Sequence, residues 1–339
     1  MSRNFTPESR YAEEGTILAP CLRIAVLIPC YNEATSIGDV VRAFRAALPG
    51  AVLYVYDNNS SDGTAEIAAG AGALVRHEPL QGKGHVVCRM FSEIDAEVYV
   101  LVDGDGTYHA ASAPRLVERL IRDGLDMLCA ARMDTLPGAF RPGHRLGNRL
   151  LTWMVAAIFG DRFSDMLTGY RVFSRRFVRS FPALSTGFEI ETQLTVHALE
   201  MRMRVAEIPT PYVERPAGSI SKLRTYRDGW RILRTIAYLV KEERPLTFFS
   251  TLFACLATAS VLLGWPVVVE FMETGLVPRF PTAILATGIM LLAFLSLSSG
   301  LILDSVYHGR LELKRLHYLA IPSLPRETGP CPEASRAGP

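Results

Sequence analysis

The sequence has no Cys-x-x-Cys pair. Its six cysteines, Cys21, Cys30, Cys88, Cys129, Cys255 and Cys331, are scattered along the chain. That excludes a zinc ribbon and a thioredoxin-type redox motif, and the mostly apolar flanks suit a reducing compartment. Charge of either sign is not in excess: 36 Lys and Arg against 34 Asp and Glu leave a net charge of +2. No nucleic-acid-binding character is therefore expected from composition. Met1 to Pro20 contains no apolar signal-peptide core, and residues 1–21 read as a polar leader. The first apolar run leads into Pro29-Cys-Tyr-Asn-Glu33 where a dinucleotide fold would place Gly-x-Gly-x-x-Gly. Gln81-Gly-Lys-Gly84 lacks the Walker spacing, so NAD-type and P-loop chemistries are both excluded.

Two long apolar runs are present, Leu246 to Val269 and Pro281 to Leu303, and neither contains a charged residue. Each matches the ~20 residues that cross a bilayer. A soluble core helix of that length normally keeps a polar face. Basic residues precede the first run (Lys222, Arg224, Arg227, Arg231, Arg234, Lys241, Arg244) and follow the second (Arg310, Lys314, Arg315). The link Glu270 to Arg279 carries two Glu and one Arg. The positive-inside rule then predicts an integral membrane protein with a two-span hairpin. Its N-terminal domain and its tail, residues 304–339, would both be cytoplasmic. Residues 223–245 read as a basic amphipathic helix, placed either on the membrane surface or against the domain alone. The tail predicts a weak interfacial helix followed by disorder from about Pro325.

Before these runs the chain alternates strand and helix patterns. Strands are predicted at Ile24–Ile28, Ala51–Tyr56, Ala73–Val75, Val98–Val102 and Asp126–Ala131. Helices are predicted at Ala34–Leu48, Thr64–Ala71, Gly84–Ile94 and Ala113–Arg122. This is an α/β pattern, a mainly parallel sheet flanked by helices over residues 22–222. Ligands of such sheets bind beyond the carboxyl ends of the strands. The polar clusters fall at those ends: Cys30 to Glu33, Asp57 to Asp62, Asp103 to Asp105, and Arg132. Singly, each suits an ordinary turn; together they converge on one edge. Asp103-Gly104-Asp105 stands out, because two carboxylates so close need a counter-charge, and a hard divalent cation is one solution.

Taken in order, several motifs resemble family 2 glycosyltransferases of the GT-A fold. They are Pro29-Cys-Tyr-Asn-Glu33, Asp57 to Thr64, Gly82-Lys-Gly84, Asp103-Gly-Asp105 and Asp165-Met-Leu-Thr-Gly-Tyr-Arg171, followed by Gly187-Phe-Glu-Ile-Glu191 and Glu214-Arg-Pro-Ala-Gly-Ser-Ile-Ser-Lys222. The likeness is greatest to the polyprenyl- (dolichyl-) phosphate sugar synthases and covers about residues 22 to 245. The resemblance implies inverting transfer from a UDP- or GDP-sugar to a polyprenyl phosphate at the cytoplasmic face of the bilayer. Pro29, Tyr31, Glu33, Asp57 and Lys83 would then hold the nucleotide. Asp103 and Asp105 would hold Mg²⁺ or Mn²⁺, with Thr107 where relatives often place a Gln ligand and Asn58 where they often place a second Asp. Arg132, Arg215, Ser221 and Lys222 would receive the acceptor phosphate, and the His144-Arg145 loop would close over it. A phosphate monoester is already anionic at pH 7, its second pKa being about 6, so it needs positive charge more than a base.

By the same resemblance Asp165 follows an acceptor-side helix, Leu146–Phe159, and would bind sugar hydroxyls, orient Arg171 or cap a helix, and one of Glu189 and Glu191 would face the site. A processive synthase of the same fold fits less well, since Gln-x-x-Arg-Trp is absent and two spans are few for a polymer channel. A non-catalytic scaffold is opposed by the intact Asp103, Asp105, Arg215 and Lys222. The sugar, the nucleotide and the oligomeric state, a homo-oligomer included, are left open by the sequence.

Overall fold

The computed structural model describes residues 22–134, 165–166, 168–182, 190–213 and 244–324. The strands are β1 (Ile24–Cys30), β2 (Val52–Asp57), β3 (Leu74–His77), β4 (Val98–Leu101), β5 (Met127–Asp134), β6 (Arg171–Ser174) and β7 (Val205–Tyr212). The helices are α1 (Ile37–Ala47), α2 (Thr64–Gly70), α3 (Lys83–Glu93), α4 (Ala113–Arg122), α5 (Arg175–Ser180), α6 (Ile190–Glu200), α7 (Pro245–Thr274) and α8 (Phe280–Ala320). All seven strands among the described residues join one sheet in the order β3-β2-β1-β4-β6-β5-β7.

Every residue of β1 is buried, as a strand covered on both faces requires. β1 pairs in parallel with β2 on one side and β4 on the other. On α1, Ile37, Val40, Val41 and Phe44 recur at helical spacing and are buried, and Phe44 meets Tyr170 edge to face at 5.8 Å. Burying one such side chain is worth about 1.5–3 kcal/mol, so these positions fix which face of α1 meets the sheet.

The sheet is mixed because β6 inserts antiparallel between β4 and β5. β6 therefore begins where its parallel neighbours end, which delivers the preceding Asp165 to Tyr170 segment to the same edge. β7 pairs with β5 in parallel and closes one side of the sheet. It carries Pro209 and Pro211 two residues apart. Proline removes a ladder donor and is tolerated at sheet edges, so the outer side of β7 is poorly suited to a further strand.

The chain divides into two compact units: residues 1–222 with 318–339, and residues 223–317. In the second unit Ser260 Oγ donates to Ala286 O at 2.7 Å and Ser296 Oγ to Phe249 O at 3.1 Å, tying α7 to α8. The most apolar windows of α7 and α8 have mean hydropathies of 2.1 and 2.0, and only 11% and 17% of their residues are buried. That exposure decides against buried core helices; both are long and apolar enough to cross a membrane.

α7 continues through Pro266 to Thr274. One expectation needs correction. α8 runs unbroken from Phe280 to Ala320, with no separate interfacial helix, because Asp304 to Ala320 holds no proline and is rich in Leu, Arg, Glu and Lys, which favour helix. Its final turn belongs to the first unit, where the Tyr318 hydroxyl donates to Asp126 Oδ2 at 2.8 Å and Arg176 lies 4.6 Å over the Tyr318 ring.

Candidate active site

The acidic pair follows β4 directly. Asp105 is buried, and its Oδ1 accepts from Thr107 Oγ1 at 2.6 Å and Thr107 N at 3.1 Å. Thr107, where a further ligand was in question, therefore orients Asp105. Val213 N donates to Thr107 O at 3.0 Å, fastening this turn to the end of β7. Between the aspartates only glycine fits: a Cβ on Gly104 would stand 2.6 Å from Cys30 Sγ. Gly104 O accepts from Ser36 Oγ at 2.7 Å, which locks the pair to the start of α1. Asp103 is packed as closely, since a Cβ on Gly169 would collide with its carboxylate. Gly169→Ala should therefore displace Asp103 and lower turnover about 10²-fold with little change in Tm; kinetics and thermal unfolding of the purified variant check this. The donor set is all oxygen and fits Mg²⁺ or Mn²⁺. Among the described residues no group of three or more His, Cys, Asp or Glu forms a metal cluster.

Beside this pair, the turns after β1 and β2 are laced together. Asn32 N donates to Ser60 Oγ at 2.8 Å, Ser61 N to Asn32 Oδ1 at 2.9 Å, Glu33 N to Thr64 Oγ1 at 2.9 Å, and Ala34 N to Asp62 Oδ2 at 3.0 Å. Burial pushes the Asp62 carboxyl up, but the Thr64 hydroxyl and the Ala34 and Thr64 N–H groups outweigh it and hold the group below its ordinary value. Sequence reasoning placed Asn32, Ser60, Asp62 and Thr64 within its motifs but gave them no individual role. One signal was available: Asn32 and Asn59 adopt positive φ, 51° and 65°, a region that asparagine tolerates better than most residues.

Asp57, at the end of β2, is buried. Its Oδ2 accepts from Ser60 N at 3.1 Å and lies 3.6 Å from His77 Nδ1, while its Oδ1 is buried without a hydrogen-bond partner. Tyr31 is exposed beside this turn, Glu33 is half-buried, and Pro29 lies within β1 opposite Tyr56.

Asn58 has a local role. Its Nδ2 donates to Glu78 O and Leu80 O, both at 2.8 Å, and its Oδ1 accepts from Gly82 N at 2.7 Å. An aspartate could not make the two donations. Asn58→Asp should cost about 1–3 kcal/mol per orphaned carbonyl, read as a lowered Tm; an unchanged Tm would contradict this account.

By fixing Gly82, Asn58 also places Lys83. The Lys83 ammonium lies 2.5 Å from both Asp103 Oδ1 and Glu191 Oε1. Burial works against that charge, but the two carboxylates prevail and hold Lys83 above the usual lysine value. Lys83, expected at the donor, thus links the turn after β4 to α6, and Glu191, one of the two glutamates left open in the sequence, is buried.

Arg132, near the end of β5, faces Asp165. Its Nε donates to Asp165 Oδ2 at 2.6 Å and one terminal nitrogen to Oδ1 at 2.9 Å. Asp165 N in turn donates to Glu207 Oε1 at 2.9 Å. The guanidinium lies 5.6 Å from the Tyr212 ring centre, and Tyr212 contacts Tyr108 at 5.5 Å. Tyr108 also accepts from Gly169 N at 2.8 Å. These tyrosines, not singled out in the sequence, join the acidic and basic parts of the edge.

Asp165 does not orient Arg171, as one expectation had it. Arg171 is fully buried and donates to Met166 O, Thr168 O and Thr195 Oγ1, because carbonyls of its own turn already satisfy it. Glu189, Arg215, Ser221, Lys222, His144, Arg145, the Leu146–Phe159 helix, the leader, residues 223–243 and the tail beyond Leu324 lie outside the described residues.

The described strands form a mixed sheet with acidic and basic clusters at the carboxyl edge of its parallel members. The glycosyl transferase family 2 model matches residues 25–182. Glycosyltransferase AglJ of Haloferax volcanii is 35% identical over 302 residues, spanning 87% of this chain and 98% of that protein. The dolichyl-phosphate hexose transferase of the same organism is 30% identical over 226 residues, spanning 65% of this chain and 95% of that protein. Among solved structures, glucosyl-3-phosphoglycerate synthase from Mycobacterium tuberculosis, in complex with Mn²⁺, UDP and glucosyl-3-phosphoglycerate, superposes with a TM-score of 0.53. It is 21% identical, and the match covers 65% of this chain and 79% of that one, a likeness of fold alone. The chain belongs to glycosyltransferase family 2.

Proposed function

We propose that the protein transfers a sugar from a UDP- or GDP-sugar to a polyprenyl phosphate, with inversion, at the cytoplasmic face of a membrane crossed by α7 and α8. One observation carries the acceptor: two described carboxylates near the Asp103–Asp105 pair, Asp165 and Glu191, are each already engaged by a cation, Arg132 and Lys83. A hydroxyl acceptor needs a base to take its proton. A phosphate monoester is already ionised and needs cations to offset its repulsion from the donor.

Asp57 and the laced turns would receive the nucleotide, with the partnerless Oδ1 of Asp57 accepting from an N–H of the base or a ribose hydroxyl. Asp103 and Asp105 would hold Mg²⁺ or Mn²⁺, which when bound neutralises charge on the departing nucleoside diphosphate. Arg132, aimed by its paired contact with Asp165, would bind the acceptor phosphate, joined by Arg215, Ser221 and Lys222. One phosphate oxygen attacks the anomeric carbon; the bond to the diphosphate breaks, and its electron pair leaves on the β-phosphate oxygen. The order of basic segments around the apolar runs supports a cytoplasmic catalytic unit and tail, and the dolichyl-phosphate relative supports a lipid acceptor.

The test supplies labelled nucleotide sugars with a polyprenyl phosphate or with the same polyprenol lacking phosphate. Only the phosphate should be glycosylated; equal use of the alcohol would overturn the reading.

A further inference from the structure

We infer that Lys83 and Glu191 form a buried charge-balancing pair that sets the position of Asp103 and the net charge offered to a divalent cation. This rests on the glycosyltransferase reading above and assigns Lys83 to the acidic turn as a positioning residue.

Lys83 bridges two elements distant in sequence. It opens α3, and its ammonium sits between Asp103 after β4 and Glu191 in the first turn of α6, 2.5 Å from each. All three side chains are shielded: Lys83 is 12% exposed, Glu191 10% and Asp103 28%. A buried ammonium so placed is strongly coupled to both carboxylates, because the local dielectric is low.

Two consequences follow. Asp103 Oδ1 is held by Lys83, while a Cβ at Gly169 would collide with the same carboxylate; the side chain is pinned from both sides. Asp103, Asp105 and Glu191 with Lys83 also carry a formal charge of two minus, which a divalent cation balances. Without Lys83 the cluster gains one negative charge and Asp103 loses its brace. Glu191 is then a counter-charge to Lys83, which removes it from the candidates for a general base.

These roles separate Lys83 from a residue that grips the donor. In Lys83→Met the cluster should bind Mn²⁺ more tightly without nucleotide, by about tenfold, since one nearby positive charge is gone. Turnover should nonetheless fall by about 10²-fold, because Asp103 is misplaced. Adding Glu191→Gln restores the cluster charge and supplies an amide donor toward Asp103. The double variant should return Mn²⁺ affinity to near the wild-type value and regain about tenfold of the lost turnover.

The experiment titrates Mn²⁺ into full-length enzyme in detergent by electron paramagnetic resonance, for wild type, Lys83→Met, Lys83→Arg and the double variant, alongside transfer kinetics. Lys83→Arg keeps the charge and should leave Mn²⁺ affinity unchanged, which serves as the control should Lys83→Met fold poorly. The inference is overturned if Lys83→Met leaves Mn²⁺ affinity unchanged while donor KM rises and Glu191→Gln rescues nothing. Wild-type transfer in the same assay reports on the glycosyltransferase reading separately, so the failure of one is distinguishable from the failure of the other.

Discussion

Asp105→Asn should cut sugar transfer about 10³-fold or more, since charge neutralisation of a leaving diphosphate is worth several kcal/mol and each ~1.4 kcal/mol is a factor of ten. The substitution is nearly isosteric. The amide oxygen can still accept from the Thr107 hydroxyl and N–H that hold Asp105 Oδ1, so the turn and its link to β7 through Val213 should survive. What is removed is one negative charge where a divalent cation would sit. The measurement pairs kcat at saturating Mn²⁺ with the Tm of the same preparation. A near-normal Tm with turnover lost is the expected outcome. Full activity with Mg²⁺ or Mn²⁺ present would overturn the metal assignment.

The second large effect belongs to Arg132. Arg132→Lys should lower kcat/KM for the lipid phosphate about 10²- to 10³-fold, the range measured when a hydrogen-bonded charge pair loses one partner. Lysine keeps the charge but cannot hold both oxygens of Asp165 in the fork that Nε and a terminal nitrogen now make, nor keep a planar face toward Tyr212. Removing the charge outright would instead take from buried Asp165 the cation that engages both its oxygens, at a cost of about 3–5 kcal/mol, which confuses folding with function. Asp165→Asn is the companion variant: it leaves Arg132 charged but loosens its aim, and should give a smaller loss in the same parameter. Both variants should raise acceptor KM and leave donor KM unchanged. A rise confined to donor KM would place Arg132 on the wrong half of the site.

How far the sequence went depended on how locally each feature is determined. β1, β2 and β4 were legible because their continuous apolar runs have few other uses in a soluble domain, and the clusters after them followed from the ligand-binding geometry of parallel sheets. β6 was not assigned. Four residues beginning with an arginine do not read as a central strand, yet Arg171 is buried because the carbonyls of the preceding turn and the Thr195 hydroxyl on α6 receive it. β7 was missed since Pro209 and Pro211 argue against a strand anywhere but at an edge. The acidic pair and Asp57 were found from residue type and place.

The partners of these residues were less accessible. That Lys83 would meet Asp103 and Glu191, 20 and 108 positions away in the chain, or that Asp165 would choose Arg132 over Arg171, depends on how β6 and α6 return to the edge. Asn58 and Thr107 illustrate the same limit. Each departs from the family pattern, and each is explained by a contact that only the fold supplies.

The central claim is tested most directly by the product. Purified full-length enzyme, freed of metal and resupplied with Mn²⁺, is given a panel of UDP- and GDP-sugars with a polyprenyl phosphate, and the lipid is weighed by mass spectrometry. The account predicts one sugar residue added to the phosphate, from one nucleotide sugar, in the inverted anomeric form, and dependent on the cation. A sugar placed on a hydroxyl acceptor instead, a lipid carrying a growing polymer, or the same product formed equally well without a divalent cation would contradict it.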